Sequence, residues 1–239
     1  MKRILAGLLT VMVTLGFAAC VQAETVEYVL EQTKERLTQL KDFSAWVEIE
    51  HLQNSRTHRT KARLTASQVH EVARLEITEP SILEGQIIVI FQDSLEVNVY
   101  MPIADRIMVK RADDLAEDTA MGLGIDLTNL ADVFDFEDLV VELLDDAAEE
   151  AQFELQDEND ECDDELSEET KANWVLRVTG FEEQEQRIWL TADWLPQKIE
   201  VYEKDSLLGT VWFRDVLVDQ ELDKDDISAL PDVRRTYSQ

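Results

Sequence analysis

The stretch from Arg74 to Lys110 constrains this chain most, because apolar and polar residues alternate through most of it. Arg74-Leu75-Glu76-Ile77-Thr78-Glu79-Pro80 leads to a short turn ending at Gly85, then Gln86 to Gln92, a polar tip Asp93-Ser94, Leu95 to Tyr100, Met101-Pro102, and Asp105 to Lys110. A period of two over short runs divided by turn residues predicts consecutive half-buried antiparallel strands. Ala73, Leu75 and Ile77 should face in, with Arg74 and Glu76 facing out. Ile87 to Phe91 is apolar on both faces, so something must cover the sheet there. Leu95, Val97, Val99 and Met101 should share one face, continued by Ile107 and Val109.

The flanking sequence extends this sheet. Glu24 to Leu40 places Val26, Val29, Leu30, Thr33, Leu37 and Leu40 at helical spacing, with Thr25 as an N-cap. Phe43 to His51 alternates again, with Phe43, Ala45, Val47 and Ile49 on one face and Ser44, Trp46, Glu48 and Glu50 on the other. Arg59 to Thr65 and Gln68 to Thr78 read as the next strands. Met121-Gly122-Leu123-Gly124-Ile125-Asp126-Leu127 pairs glycine hinges with bulky apolar residues, and a short helix should follow through Leu130 and Val133. This segment is either a lid over a concave sheet or an ordinary covering loop and helix. Leu139 to Leu144 can be strand or helix, and Gln152 to Leu155 reads as a strand. An acidic loop spans about 157–169, and Trp174–Thr179, Arg187–Thr191, Lys198–Tyr202 and Leu207–Asp215 complete the strands. Ile227 and Leu230, in the closing segment Leu222 to Pro231, should dock on the sheet.

The first residues carry a targeting signal. Lys2-Arg3, the apolar run from Ile4 to Ala19 and the small residues of Val21-Gln22-Ala23 form a signal peptide over 1–23. A cut after Ala23 releases one soluble domain over 24–239. The alternative cut, before Cys20 in Phe17-Ala18-Ala19-Cys20, would make Cys20 a lipidation site and the protein membrane-anchored. Either cut leaves Cys162 as the single cysteine of the mature domain, so no intramolecular disulfide supports the core.

With 239 residues and a formal net charge of −30, this chain is a poor partner for nucleic acid or an anionic membrane. It has no nucleophile elbow, glycine-rich phosphate loop or zinc-ligand spacing. The Asp157 to Glu165 run lacks the glycine and ligand spacing of a calcium loop. No metal, cofactor or catalytic residue is therefore expected. His51, His58 and His70 are the only histidines and read as surface residues. Trp46, Trp189 and Trp212 fall on otherwise polar strand faces. They either lie under the first helix and lid or mark a partner surface.

The order of these elements resembles the LolA family of periplasmic lipoprotein carriers. Leu40-Lys41-Asp42-Phe43-Ser44-Ala45 is similar to the family's helix and following "-FSA-" strand. Ala73 to Pro80, followed by paired strands ending Val99-Tyr100-Met101-Pro102, resembles its "FRW…P" and "dG…lwvYdP" succession. Trp194-Leu195-Pro196-Gln197-Lys198-Ile199-Glu200-Val201, then Gly209 to Val216, and the closing segment before Pro231 continue the likeness. The chain departs from the family upstream of Ala73, where Gln68-Val69-His70-Glu71 stands in place of an Arg-Pro pair whose arginine helps hold the lid.

The resemblance implies a mainly β (α+β) fold. It would be an incomplete antiparallel β-barrel, with an N-terminal helix and a helical lid over an apolar cavity. It further implies a non-enzymatic periplasmic carrier of lipid acyl chains, chiefly those of lipoproteins bound for the outer membrane. Such a carrier would receive them from an inner-membrane ABC transporter and pass them to an outer-membrane acceptor. The alternative is an envelope regulatory or structural protein that uses the same shell to bind a protein partner. The residues expected to line the cavity are Phe43, Val47, Leu75, Val89, Phe91, Val97, Val99, Ile107, Val109, Leu123, Leu127, Trp174 and Leu176.

Overall fold

The computed structural model describes residues 25–53, 56–111, 136, 139–144, 172–181 and 184–237. In chain order they form α1 (Val26–Gln39), β1 (Asp42–Gln53), β2 (Arg56–Ser67), β3 (Val72–Glu79), β4 (Ile87–Phe91), β5 (Glu96–Met101), a 3-10 turn (Pro102–Ala104), β6 (Arg106–Arg111), β7 (Val140–Leu143), β8 (Trp174–Phe181), β9 (Gln184–Leu190), β10 (Pro196–Glu203), β11 (Ser206–Val218), α2 (Lys224–Ser228) and β12 (Arg234–Tyr237). The strands form a single sheet in the order β12-β6-β5-β4-β3-β2-β1-β11-β10-β9-β8-β7. The sheet is open, ending at β12 and β7. Every neighbouring pair is antiparallel except β12 with β6, which is parallel.

The expected helix and most expected strands are present, and the segment around Leu139 resolves as strand β7. β3 starts later than its alternation suggested, at Val72, because Gln68 to Glu71 make the turn from β2, with Glu71 at φ 51°. The signal with Cys20, the lid segment with Leu123 and Leu127, the strand over 152–155 and the acidic loop with Cys162 lie outside the described residues.

Two apolar layers form on opposite sides of the sheet. On the inner side, Val29 and Leu37 of α1 are buried against Phe43, Val47, Leu64, Leu75, Leu176, Ile188, Ile199, Val211 and Phe213. The helix starts where Thr25 Oγ1 accepts from the Tyr28 N–H at 3.3 Å, satisfying one free donor of the first turn. On the outer side, Val72, Ile87 and Val89 are buried beneath Ile227 of α2, flanked by Leu222 and Leu230. The doubly apolar β4 thus has its cover, and the closing segment supplies it on the outer face.

Asp42 fixes that closing segment to β1. Its side chain is buried; Oδ1 accepts from the Gln220 N–H at 2.6 Å and Oδ2 from the Leu222 N–H at 3.2 Å. The Asp42 carbonyl accepts from the Asp219 N–H at 3.1 Å, and Asp219 Oδ1 in turn accepts from the Lys41 N–H at 3.0 Å. Arg74 of β3 adds a second tie by donating from Nη1 to the Ala229 carbonyl. Hydrogen bonds to a charged group contribute about 1.5–3 kcal/mol each. Asp42→Ala, which removes two such bonds, should therefore cost about 3–6 kcal/mol in urea unfolding and expose the backbone amides of 220–230 to faster hydrogen exchange. An unchanged midpoint and exchange pattern would show that apolar docking of Ile227 alone holds the segment.

Candidate functional site

The inner face is assembled by strand register. Ala45 of β1 faces Leu64 of β2, Leu64 faces Leu75 of β3, Leu75 faces Ile88 of β4, Ile88 faces Val99 of β5, and Val99 faces Met108 of β6. These six side chains form an unbroken apolar lane across the strands. Five steps of about 4.8 Å make it about 24 Å long. The next row, Phe43, Ala66, Ala73, Ile90 and Val97, runs alongside and ends at Lys110. Alanines at 45, 62, 66 and 73 keep the middle of this surface shallow in side chain. Ile88, Ile90 and Met108 are only half-buried.

Seven of the residues expected to line a cavity share this face: Phe43, Val47, Leu75, Val97, Val99, Trp174 and Leu176. Four do not. Val89 pairs with Arg74 and Phe91 with Val72, so both point to the outer side. Ile107 pairs with Tyr100, and Val109 with Asn98, also outside. The turn from β5 to β6 has four residues between Met101 and Arg106, so odd positions on β5 share a face with even positions on β6. Met108, not Ile107 or Val109, continues the face of Val97 and Val99. Counting residues through the turn would have shown this; hydrophobicity alone favoured the larger side chains. Leu123 and Leu127 lie outside the described residues.

At one end of the face an aromatic clasp holds α1. The Trp174 and Trp194 rings stack at 3.8 Å between centroids, and Tyr28 of α1 meets Trp194 edge-on at 5.8 Å. At the other end of α1, the Leu37 carbonyl accepts from Gln68 Nε2 at 2.9 Å as well as from the Leu40 N–H at 3.4 Å. Gln68 stands in the stretch where the family pattern has its arginine, and here an amide ties the helix to the β2–β3 turn.

The outer face of β1 and β8–β11 is polar and closely paired. Lys198 Nζ lies 4.7 Å from the Trp189 ring centroid and 5.9 Å from that of Trp212, and it ion-pairs with Glu200 at 2.6 Å. Tyr202 donates to Glu200 at 2.6 Å, and Arg187 lies over the Tyr202 ring at 4.5 Å. Burial, and then the bond to Glu200, raises the Tyr202 hydroxyl well above its ordinary value. Burial pushes Glu185 up, but hydrogen bonds from Arg187 at 2.8 Å and Arg177 at 2.9 Å outweigh it and hold the carboxyl below the usual range. Trp189 and Trp212 thus lie against Lys198 on the side opposite α1, so the first helix does not cover them, and the lid segment lies outside the described residues. Trp46 stays 42% exposed, in an open cleft of about 340 Å³ with Arg59, Lys61, Arg214, Glu48 and Asp215. Glu48 pairs there with both Arg59 and Arg214.

No protein-family model matches this chain, and no curated protein matches it in sequence. Similar solved structures include an uncharacterized conserved protein from Thermus thermophilus, at 15% identity and a TM-score of 0.54, covering 89% of this chain and 98% of that one. They also include a LolA superfamily protein from Nitrosomonas europaea, at 16% identity and a TM-score of 0.43, covering 86% and 98%. A third is the lipoprotein LppX of Mycobacterium tuberculosis, at 9% identity and a TM-score of 0.45, covering 83% and 99%. The Thermus protein shows that the fold of this chain is shared across nearly its whole described length. The family that the sequence resembles is represented among the similar structures. Among the described residues no helix is long and apolar enough to cross a membrane.

Two outcomes test this geometry. Trp194→Ala should remove both ring contacts and speed hydrogen exchange in the first turns of α1 while leaving β1 and β11 protected; uniform exchange would deny the clasp. For Glu185, a carboxyl held below its ordinary 4.5 stabilises the fold above that pH and loses the contribution as pH falls through the lowered value. Glu185→Gln should therefore lower urea stability at pH 7, and its difference from the wild type should shrink below about pH 4.5. A difference that stays constant down to about pH 2.5 would rule out the charge-assisted bonds as its source.

Proposed function

We propose that this protein is a non-enzymatic carrier that binds lipid acyl chains along the inner face of its sheet, and that it works in the periplasm. The observation that carries the reading is the lane from Ala45 through Leu64, Leu75, Ile88 and Val99 to Met108. An extended hydrocarbon chain needs a long, narrow apolar surface without hydrogen-bonding groups, and each buried methylene contributes about 0.8 kcal/mol. The lane is about 24 Å long, with Ile88 and Met108 half-buried and Ala45, Leu64, Leu75 and Val99 buried. Lipoprotein acyl chains are the cargo most in keeping with the sequence resemblance, which also suggests an inner-membrane ABC transporter as donor and an outer-membrane acceptor. The chemistry requires neither a catalytic group nor a cofactor.

A second reading, binding of a protein partner by the same shell, is favoured by one observation, the exposed Trp46 among cations on the outer face. Exposed tryptophan beside arginine is a common composition for interaction surfaces.

Lipid extraction and mass spectrometry of the mature protein purified from its own envelope should recover acylated species. A fluorescent fatty acid should be taken up saturably. Ile88→Asp, which puts a charge into the lane at a half-buried position, should weaken that uptake at least about tenfold, whereas Trp46→Ala should not. No recovered lipid and no uptake by the folded wild type would overturn the carrier reading in favour of the partner reading.

A further inference from the structure

His51 and His58 face each other across the β1–β2 hairpin. Their rings are stacked, 5.3 Å between centroids and 19° between planes. Both extend the inner side of the hairpin beyond Ile49 and Thr60, at the rim of the concave face. On the other flank of His51, in register, stands Gly209 of β11, which carries no side chain. The charged pair next along the hairpin, Glu50 and Arg59, belongs to the outer face, with Arg59 Nε 3.8 Å from Glu50 Oε1.

The Nδ1 atom of His51 is buried and has no hydrogen-bond partner. A buried polar nitrogen without a partner is a net cost to the fold. A histidine placed for packing alone would be replaced without loss by an apolar ring. Burial, and then the neighbouring His58, hold His51 below the usual histidine range. A neutral imidazole is the form that donates a lone pair to a metal.

We propose that His51 and His58 form a two-imidazole site for a divalent transition cation of the zinc class. Two nitrogens bound at about 2.05 Å to one tetrahedral ion lie about 3.3 Å apart, a separation that paired rings can reach by turning about their Cβ–Cγ bonds. Among the described residues no three His, Cys, Asp or Glu side chains converge, so water completes the coordination and binding is reversible. Imidazole selects zinc, copper and nickel over the magnesium and calcium that carboxylates attract. The net charge of −30 raises the local concentration of any cation.

The test uses the full mature chain with ¹⁵N-labelled histidine, titrated with zinc chloride at pH 7.5 in a tenfold excess of magnesium. His70 is the internal control, because it is the only other histidine. The ring signals of His51 and His58 should move together and saturate at one zinc per chain, while those of His70 stay in place. His58→Ala, at an exposed position, should weaken zinc binding by at least roughly tenfold through loss of the two-point attachment. His51→Ala should do the same if the circular dichroism of the fold is kept. Equal movement of all three histidines, or unchanged zinc affinity in His58→Ala, would show an adventitious ion held by the carboxylate surface and overturn the site.

Discussion

Because side chains alternate across a strand, a slip of one residue between β1 and either neighbour would turn Val47 and Ile49 outward and Glu48 and Glu50 inward. The energy difference between those registers is large: four side chains would change solvent at once, two of them charged. β1 therefore sets the faces of the whole sheet. It pairs with β2 over its full length and with β11 on the other side, and every more distant strand inherits its facing from that pair. One irregularity is tolerated, where the β1–β11 register shifts between Ser44 and Trp46. The extra residue lies on β11, between Arg214 and Leu217, where Asp215 has φ 50°.

The same rule decides how each face is covered. The inner side of β1 and β8–β11 is apolar and continuous, so one amphipathic helix, α1, can bury it. The inner side of β4–β6 extends the same surface, with Ile88, Ile90 and Met108 half-buried. The outer side of β4, with Val72 at the start of β3, is also apolar and is sealed by Ile227. That leaves the outer side of β8–β11, where bulky rings meet charges. A lysine between two tryptophan faces contributes about 0.5–2 kcal/mol by cation–π attraction while its own charge is neutralised by Glu200. Isolated surface ion pairs contribute less. The combination places a large aromatic surface beneath a charged ladder.

Local signals made much of this architecture legible. Thr25 as a cap, the helical spacing of Val29 and Leu37, the alternation in β1 and β3, and Ile227 as a docking residue are all properties of a few consecutive residues. What the sequence hid depends on residues distant along the chain. Val89 and Phe91 are as apolar as Ile88 and Ile90, so composition could not say which pair faces the lane; register against β3 decides it. β12 is short and basic, Arg234-Arg235-Thr236-Tyr237, and gains its strand character only by pairing with β6. The histidine pair and the bond from Gln68 to Leu37 come from hairpin closure and helix docking, and carry no pattern of their own.

Under the proposed carrier reading, incomplete packing of the inner face is the useful property. A fully interdigitated core would bury the inner face against the protein's own side chains and leave no gain on binding lipid. The alanines at 45, 62, 66 and 73 keep the inner side of β1–β3 short in side chain, and Ala45, Ala62 and Ala73 are buried there. Leu64, Leu75 and Ile88 then supply the walls of the lane. With about 0.8 kcal/mol per methylene, even about ten methylenes bound along it would yield about 8 kcal/mol before the cost of ordering the chain. About 8 kcal/mol corresponds to a micromolar affinity, and the cost of ordering the chain makes the net binding weaker than that.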